Sequence, residues 1–307
     1  MDPLKELEGL DAGRQLALVK KLGGRKIVNA ILRDEKTVTI EDVMKLFFDK
    51  HGRRIPNRLQ TNVCDANRDL RLNQPKLDKE MDFANRILRL HESLSMHMMR
   101  YINNTEVTAE QLKQETERLL AIIRVNPQIA NIANGVYLPV VLPRLVTNDL
   151  GAELELYLTG VDKSYSKTFG DRKFYNHCKD TLANEVRVVD GSRHDQLISR
   201  MKEGPVIGLH FPNPLQGFST NASREQISKL PEGFILSGID TPIAMVMYPD
   251  ILARDWNTPG LNMSALSWQS AGYSLLFRAG GGRFDFGCTA VLSHAYAYYS
   301  SGLLFLR

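Results

Sequence analysis

The chain has 307 residues, of which 43% are hydrophobic and 24% are charged. This length and hydrophobic fraction allow a large buried core, and they exclude a disordered or fibrous protein. The formal net charge is +4, and residues 1–128 carry all of it, with 23 Lys and Arg against 19 Asp and Glu. A nucleic-acid-binding domain usually has a denser basic stripe, so nucleic acid is an unfavoured partner.

Residues 12–60 have the pattern of short helices. The segment RQLALVKKLGG has apolar residues at helical spacing, and Gly23 and Gly24 are typical of a helix C-terminus. The segment TVTIEDVMKLFFDKHG predicts another helix, with an N-cap at Thr39 and an end at Gly52. Two interpretations stay open: a DNA-binding helix-turn-helix, and a helical module held by packing alone, which is the commoner case.

A helical hairpin is predicted next. Over residues 76–102, residues at steps of four and three form one face of a long helix: Leu77, Met81, Ala84, Leu88, His91, Ser95, Met98 and Ile102. Thr108 and Gln111 form the capping-box pattern that begins a second helix, TAEQLKQETERLLAIIRV. The face of the first helix suits either a coiled-coil seam of a homo-oligomer or an intramolecular pair. His91 and Ser95 on that face favour the intramolecular pair.

The composition changes after Asn134. Runs rich in strand-forming residues, such as GVYLPVVLPRLV, AELELYLTGV and NEVRVVDG, are separated by Pro and Gly. Helical periodicity persists in short pieces such as SRHDQLISRMKEG. We therefore predict an α+β protein with a helical N-terminal module over residues 1–135 and a domain of short strands, loops and few helices over residues 136–307.

Common catalytic and cofactor motifs are missing from the sequence. GGGRFDFG lacks the strand-before, helix-after context of a dinucleotide site, and neither a phosphate-binding loop with lysine nor a nucleophile elbow occurs. His91 and His97 fall on different faces of a helix, and His194 and Asp195 are adjacent and face apart. We therefore predict no catalytic residue, no metal site and no cofactor.

The cysteines and the apolar segments bear on location. Cys64, Cys178 and Cys288 are odd in number and far apart, which favours free thiols over disulfides or a thiolate metal site. Residues 1–15 lack the apolar stretch of a signal peptide, and no window reaches eighteen apolar residues. The sequence therefore predicts no membrane span, and the cytoplasm is the default location.

The segment from Ser270 to Arg307 has an unusual composition. Lys, Glu, Gln, Met, Trp, Asn, Ile and Pro are all missing from it. Every residue type that is present can be encoded by a codon ending in a pyrimidine, which is the set reached when both adenines of an asparagine codon are randomised. A strand-rich core with turns also disfavours Lys, Glu and Gln, so composition alone leaves both explanations open.

The same segment resembles a known family. RDWNTPGLNMSALSW, then FRAGGGRFDFG, and then an aromatic and small-residue stretch ending in SGLLFLR resemble the C-terminal variable region of diversity-generating retroelement target proteins. Those proteins have a C-type-lectin-like fold of the formylglycine-generating-enzyme type. The resemblance covers residues 205–307 well and the helical front poorly. It implies a bacterial or phage protein with a C-type-lectin-like domain over residues 136–307 and a variable region near residues 256–307.

The resemblance implies a non-enzymatic binding protein for a protein or cell-surface ligand. A reverse transcriptase that copies a template repeat with errors at adenines would rewrite the ligand surface while the framework keeps the fold. The implied framework consists of anchors that also suit a core: Trp256, Asn257, Leu261, Leu266, Trp268, Phe277, Phe284, Phe286 and Leu303–Leu306. Phe284 and Phe286 are expected to share one strand face.

The implied ligand-binding positions are interleaved with this framework. In LSHAYAYYSS, period-two spacing places the larger side chains on one side and small alanines on the other, as in an exposed strand face over a close-packed backing. Tyr and Ser are also favoured in antibody paratopes. A half-buried strand is the alternative for this row. The implied positions are Ser270, Tyr273, Leu276, Ala279, Gly280, Asp285, Cys288, Thr289, Leu292, His294, Tyr296, Tyr298 and Ser300.

Two other functions stay open at this stage. An enzyme of the same fold would use Cys288 or histidines. Cys288 is the only cysteine in the segment from Ser270 to Arg307, which we call the tail, and its nearest histidine is His294. A DNA-associated regulator would act through the basic N-terminal helices. Calcium-dependent sugar binding is disfavoured, because it needs clustered carboxylates and the tail has only Asp285.

Overall fold

The computed structural model describes residues 11–37, 47–56, 72, 74, 81–98 and 107–307. The chain forms two compact units, residues 1–44 and residues 45–307. Three predicted features lie outside the described residues: the N-cap at Thr39, the thiol of Cys64 and both ends of the helix predicted over residues 76–102.

The first unit contains two short helices, α1 (Ala12–Lys21) and α2 (Arg25–Leu32). Between them, Gly23 and Gly24 have φ angles of 93° and 89°. This left-handed region strains residues that carry a Cβ, so the two glycines end α1 as predicted.

The described part of the second unit contains both helices and strands. Its helices are α3 (Phe83–Met98), α4 (Ala109–Val125), the 3₁₀ helix Ala130–Asn134, α5 (Leu150–Phe169), α6 (His194–Glu203), α7 (Thr220–Ile227), α8 (Asp240–Met247) and α9 (Pro249–Leu252). Its strands are β1 (Leu138–Leu142), β2 (Lys173–Asn176), β3 (Val186–Val188), β4 (Val206–Phe211), β5 (Phe234–Leu236), β6 (Gly260–Asn262), β7 (Leu266–Trp268), β8 (Ser274–Ala279), β9 (Arg283–Thr289), β10 (Tyr299–Ser301) and β11 (Leu303–Phe305).

Helix α4 begins as predicted. The Thr108 hydroxyl accepts a hydrogen bond from the Gln111 N–H at 3.2 Å, and the Gln111 side-chain oxygen accepts one from the Thr108 N–H at 2.8 Å. Both bonds satisfy N–H groups that a helix start leaves unpaired. The capping box is therefore confirmed.

Helix α3 buries a different face from the one predicted. Leu90 and Leu94 are fully buried, whereas Leu88, on the predicted face, is 53% exposed. Apolar residues lie on both sides of this helix, so periodicity alone did not select the buried side. Leu94 lies against Gly160 of α5, where a Cβ would come within 2.4 Å of its Cδ2.

Two other predicted elements differ from the structure. The segment AELELYLTGV, predicted as a strand, lies inside α5. The Asp149 side chain caps this helix by accepting from the Gly151 N–H at 2.9 Å, and buried residues follow at helical spacing. The helix predicted to end at Gly52 is also wrong over residues 47–52, which form a turn held by the Asp49 carboxylate.

A four-stranded antiparallel sheet forms the centre of the second unit, with the order β1-β4-β11-β5. The implied framework segment Leu303–Leu306 contains β11, and the position of β11 between β4 and β5 leaves Leu303 and Leu304 fully buried. Helix α4 packs on β4 and helix α8 on β1. The boundary predicted near residue 135 therefore lies inside this unit, between elements that pack on one another.

A five-stranded mixed sheet has the order β10-β6-β8-β9-β2, and β3 pairs with β7 in a separate ladder. One face of the five-stranded sheet is aromatic: the ring of Phe277 lies 4.8 Å from that of Phe286 and 5.5 Å from that of Phe284. Phe284 in turn lies 5.2 Å from Tyr165 of α5. This confirms that Phe284 and Phe286 share one core-facing side of β9.

The described residues thus combine helices with separate mixed and antiparallel sheets, which confirms the α+β class. Trp256 was predicted as a core anchor, and this is wrong because its side chain is 67% exposed in the loop after α9. Among the helices that the structure describes, none combines the length and the apolar character needed to cross a bilayer.

Candidate functional site

A cavity of about 430 Å³ lies against the five-stranded sheet. Residues directly opposite each other in an antiparallel pair share a face. The register pairs Asn262 with Leu276, Leu276 with Gly287, and Arg278 with Asp285. All five line the cavity, so its floor is the face opposite the aromatic core.

The walls of the cavity come from distant parts of the chain. His177 and Cys178 follow β2, Thr220 begins α7, and Trp268 ends β7. The remaining wall runs from the end of β9 to the start of β10, where the lining residues are Cys288, Thr289, Val291, His294, Tyr296, Tyr298 and Tyr299. The cavity is therefore assembled by tertiary packing.

Residues 290–298, which we call the tail loop, contain turns and do not form the predicted period-two strand. Strand β10 begins only at Tyr299. Leu292 and Ser300, predicted on the exposed side, are buried, whereas Tyr298 on that side is 48% exposed. Leu292 and Ser300 are buried because hydrogen bonds attach the chain on both sides of the loop. The Asn221 N–H donates to the Leu292 carbonyl, and β10 pairs with β6.

The tyrosines of this loop form a compact cluster. The ring centroids of Tyr298 and Tyr299 are 5.0 Å apart, those of Tyr296 and Tyr298 are 5.4 Å apart, and those of Tyr296 and Tyr299 are 5.7 Å apart. The Tyr296 hydroxyl lies 3.2 Å from His294 Nδ1. Burial raises the pKa of Tyr299, although the Arg278 guanidinium lies beside its hydroxyl and opposes the rise. The three rings therefore form one continuous aromatic surface at the cavity.

Asp285 is the only carboxylate among the described residues that line the cavity. Its Oδ1 lies 3.0 Å from His177 Nε2, and its Oδ2 accepts from Arg283 Nε at 3.0 Å. An ionised carboxylate only accepts hydrogen bonds, so His177 carries a proton on Nε2. The Asp285 side chain is 8% exposed, and both of its oxygens are thus already engaged.

Two thiols lie together at the cavity, although the sequence placed Cys288 alone. Cys178 is buried and Cys288 is exposed, and neither forms a disulfide. Burial, reinforced by the neighbouring Cys288 thiol, raises the pKa of Cys178 to about 12. Since the thiolate is the reactive form, Cys178 is a poor nucleophile near neutral pH.

Of the positions implied by the resemblance, seven line the cavity: Leu276, Asp285, Cys288, Thr289, His294, Tyr296 and Tyr298. Ser270 and Tyr273 are exposed in the turn between β7 and β8, and the Tyr273 ring lies 6.1 Å from that of Trp268. Gly280 lies in the turn after β8, and Ala279, Leu292 and Ser300 are buried outside the cavity.

Other lining residues were not identified from the sequence. Arg278 carried a usable signal, because in SLLFRA it alternates with the buried Leu275 and Phe277 and so shares the face of Leu276. His177 and Thr220 carry no such local signal, since they lie more than forty residues from the tail and only the fold brings them to it.

A second polar group is buried away from the cavity. His210 Nδ1 lies 2.8 Å from Asp240 Oδ2 and 3.5 Å from Ser237 Oγ, and all three side chains are fully buried. In a catalytic triad the serine and the carboxylate contact opposite nitrogens of the histidine. Here both lie at the same nitrogen, so the group is a structural network.

No group of three His, Cys, Asp or Glu side chains within the described ranges is arranged to hold a metal ion. Comparison of the chain with protein-family models, with curated proteins and with solved structures found no match. The cavity and the resemblance of residues 270–307 are therefore the features that bear on function.

Proposed function

We propose that the chain is a non-enzymatic ligand-binding protein whose C-type-lectin-like domain, over residues 136–307, presents retroelement-diversified residues at the cavity. The observation that supports this most is the convergence described above: seven positions implied by the resemblance line one cavity. Its volume of about 430 Å³ lies in the range of small-molecule and side-chain sites.

The tail loop is held by hydrogen bonds to its main chain, which suits a surface whose side chains are diversified. The Gln216 side chain donates to the Ala297 carbonyl at 3.2 Å, and the Gly217 N–H donates to the Tyr299 carbonyl at 2.9 Å. The Asn221 N–H donates to the Leu292 carbonyl at 3.0 Å. These acceptors are main-chain atoms, which every residue type supplies. Side chains in the loop can therefore be replaced while its course is kept.

The tyrosine side chains that the loop carries in this sequence are also suited to ligand binding. Tyr296 and Tyr298 line the cavity and are 36% and 48% exposed. A tyrosine loses little conformational entropy on binding because it has two rotatable side-chain angles, and its ring and hydroxyl contribute apolar and polar contacts together.

The encoding DNA tests the diversification. We expect a neighbouring reverse transcriptase gene and an imperfect repeat of the 3′ end of the coding sequence that differs from it at adenines. An isolated gene without such a repeat would contradict diversification.

A fragment screen tests the binding site. Ligand-observed NMR with the full chain and a library of small aromatic and polar fragments should give hits that are lost in the double variant Tyr296→Ala/Tyr298→Ala. Trp256→Ala is the matched control, because Trp256 is an exposed aromatic residue outside the cavity lining. Equal hits for the wild type and the double variant would contradict binding at this cavity.

An enzyme is the second candidate, because Cys178, Cys288 and His177 line the same cavity. A nucleophilic cysteine is a stabilised thiolate and reacts faster than an ordinary thiol. If the protein is a binding protein, Cys288 should react with iodoacetamide at pH 7 no faster than free cysteine does. Alkylation many times faster, lost in Cys288→Ser, would favour the enzyme.

A further inference from the structure

The charges around the cavity indicate what kind of ligand it takes. Arg278 is exposed on the cavity floor. Within the described part of the chain, no Asp or Glu forms an ion pair with it. Its cross-strand neighbour Asp285 instead pairs with His177 and Arg283. Arg278 is thus a cationic donor without a carboxylate partner.

The other charged groups at the cavity do not cancel the Arg278 charge, because Asp285 is already paired with Arg283. The Asp285 carboxylate is mostly covered and engaged at both oxygens, so it offers little to a cationic ligand. An anionic group is therefore favoured, and a cationic one is disfavoured.

An aromatic surface lies next to this cation. The Arg278 guanidinium lies beside the Tyr299 hydroxyl, and the rings of Tyr298 and Tyr296 adjoin that of Tyr299. A guanidinium matches a carboxylate through two parallel hydrogen bonds. Aromatic rings pack best on other rings in offset or edge-to-face geometry.

We propose, on the basis of the binding function above, that this cavity binds an aromatic carboxylate. The ligand ring packs on the cluster of Tyr296, Tyr298 and Tyr299, and its carboxylate accepts hydrogen bonds from Arg278. The ligand is a small aromatic acid or the C-terminal aromatic residue of a peptide, which share this chemistry.

Three probes of nearly equal shape test the proposal: 4-hydroxyphenylacetate, its neutral amide 4-hydroxyphenylacetamide, and the cationic amine tyramine. NMR titration of the full chain should show the acid binding about tenfold more tightly than the amide, as a hydrogen-bonded charge pair allows, and tyramine binding most weakly. Equal affinities for the acid and the amide would overturn the proposal.

Charge reversal at one residue tests the role of Arg278. Arg278→Glu should reverse the order, so that tyramine binds more tightly than the acid. Lys163→Glu is the matched control, because it changes the net charge equally on α5, beyond the aromatic face of the sheet. Circular dichroism checks that both variants are folded. An unchanged preference in folded Arg278→Glu would overturn the proposal.

The outcomes separate this inference from the proposed function. If all three probes bind equally and the tyrosine double variant loses all of them, the binding site stands and the charge preference is wrong. If the wild type binds none of the probes, the charge inference is wrong, and the fragment screen decides the binding function independently. A comparison of 4-hydroxyphenylacetate with the peptide Gly-Gly-Tyr distinguishes the two ligand sources, and the peptide with an amidated C-terminus is the control for the carboxylate.

Discussion

Arg86 is buried and forms an ion pair with the partly exposed Asp250, which connects α3 to α9. Its guanidinium donates to both carboxylate oxygens of Asp250, at 2.5 Å and 2.8 Å, and to the Met247 carbonyl at 2.9 Å. It also lies 4.5 Å from the centre of the Tyr248 ring. Burial alone would lower the pKa of Arg86, but the hydrogen bonds to Asp250 outweigh it. The charge is thus compensated within the fold.

We predict that Arg86→Ala lowers the free energy of unfolding by about 2–3 kcal/mol. Removal of Arg86 leaves Asp250 with only the single contact to Arg89, and the partial exposure of Asp250 keeps the loss below that of a fully buried pair. Urea denaturation measures this loss. Lys167→Ala is the control, because Lys167 forms a surface pair with Glu92 and should cost less than about 1 kcal/mol. Equal losses in both variants would contradict the assigned role of Arg86.

At the scale of elements, β9 and the tail loop contrast most clearly. Phe286 of β9 packs against Phe277 in the aromatic core with no exposed surface. Tyr298 of the loop contacts neighbouring tyrosines and is about half exposed. The strand therefore supplies core packing, and the loop supplies surface on top of it.

We predict that Phe286→Ala costs about 3–5 kcal/mol of stability, because it removes a buried ring and leaves a cavity. Tyr298→Ala should cost less than about 1 kcal/mol, because much of its ring is already in water. Thermal and urea unfolding of the two variants measure the difference. A loss in Tyr298→Ala as large as that in Phe286→Ala would show that the tyrosine belongs to the core and would weaken the proposed binding surface.

At the scale of the whole molecule, buried polar groups connect the elements that surround the central sheet. His194 at the start of α6 lies 3.1 Å through Nδ1 from the Leu236 carbonyl of β5, and its Nε2 accepts from the Ile239 N–H at 3.1 Å. This geometry requires a neutral ring with its proton on Nδ1. Burial lowers the pKa of His194, and Asp240 and Asp195 only partly oppose that shift.

We predict an acid-sensitive stability that depends on His194. A histidine with a lowered folded-state pKa binds protons more readily in the unfolded state, so its contribution is complete above pH 6.5 and is lost as the pH falls through that value. The free energy of unfolding should therefore fall from pH 7.5 to pH 5.5, by up to about 1.4 kcal/mol per pH unit.

Urea denaturation at several pH values measures this dependence. His194→Gln should flatten it, whereas His51→Gln, which changes an exposed histidine, should retain it. The comparison is between slopes, so a lower stability of His194→Gln does not affect it. An unchanged slope in His194→Gln would contradict the assignment.

Signals contained in a few neighbouring residues determined several elements by themselves. The Thr108 capping box, the glycines after α1, the alternation of Phe284 and Phe286, and the apolar strand β11 were all predictable. In each case the determining interactions are local, since a cap, a left-handed turn or a strand face depends on residues within one or two turns of each other.

The tertiary structure decided the rest. Both helix and strand were compatible with AELELYLTGV, and burial between the sheets and α3 selects the helix. Both faces of α3 carry apolar residues, and contact with α5 selects the buried one. The cavity unites His177, Thr220 and Arg278, which are distant in the chain. Packing between distant residues depends on the whole fold, and no local pattern encodes it.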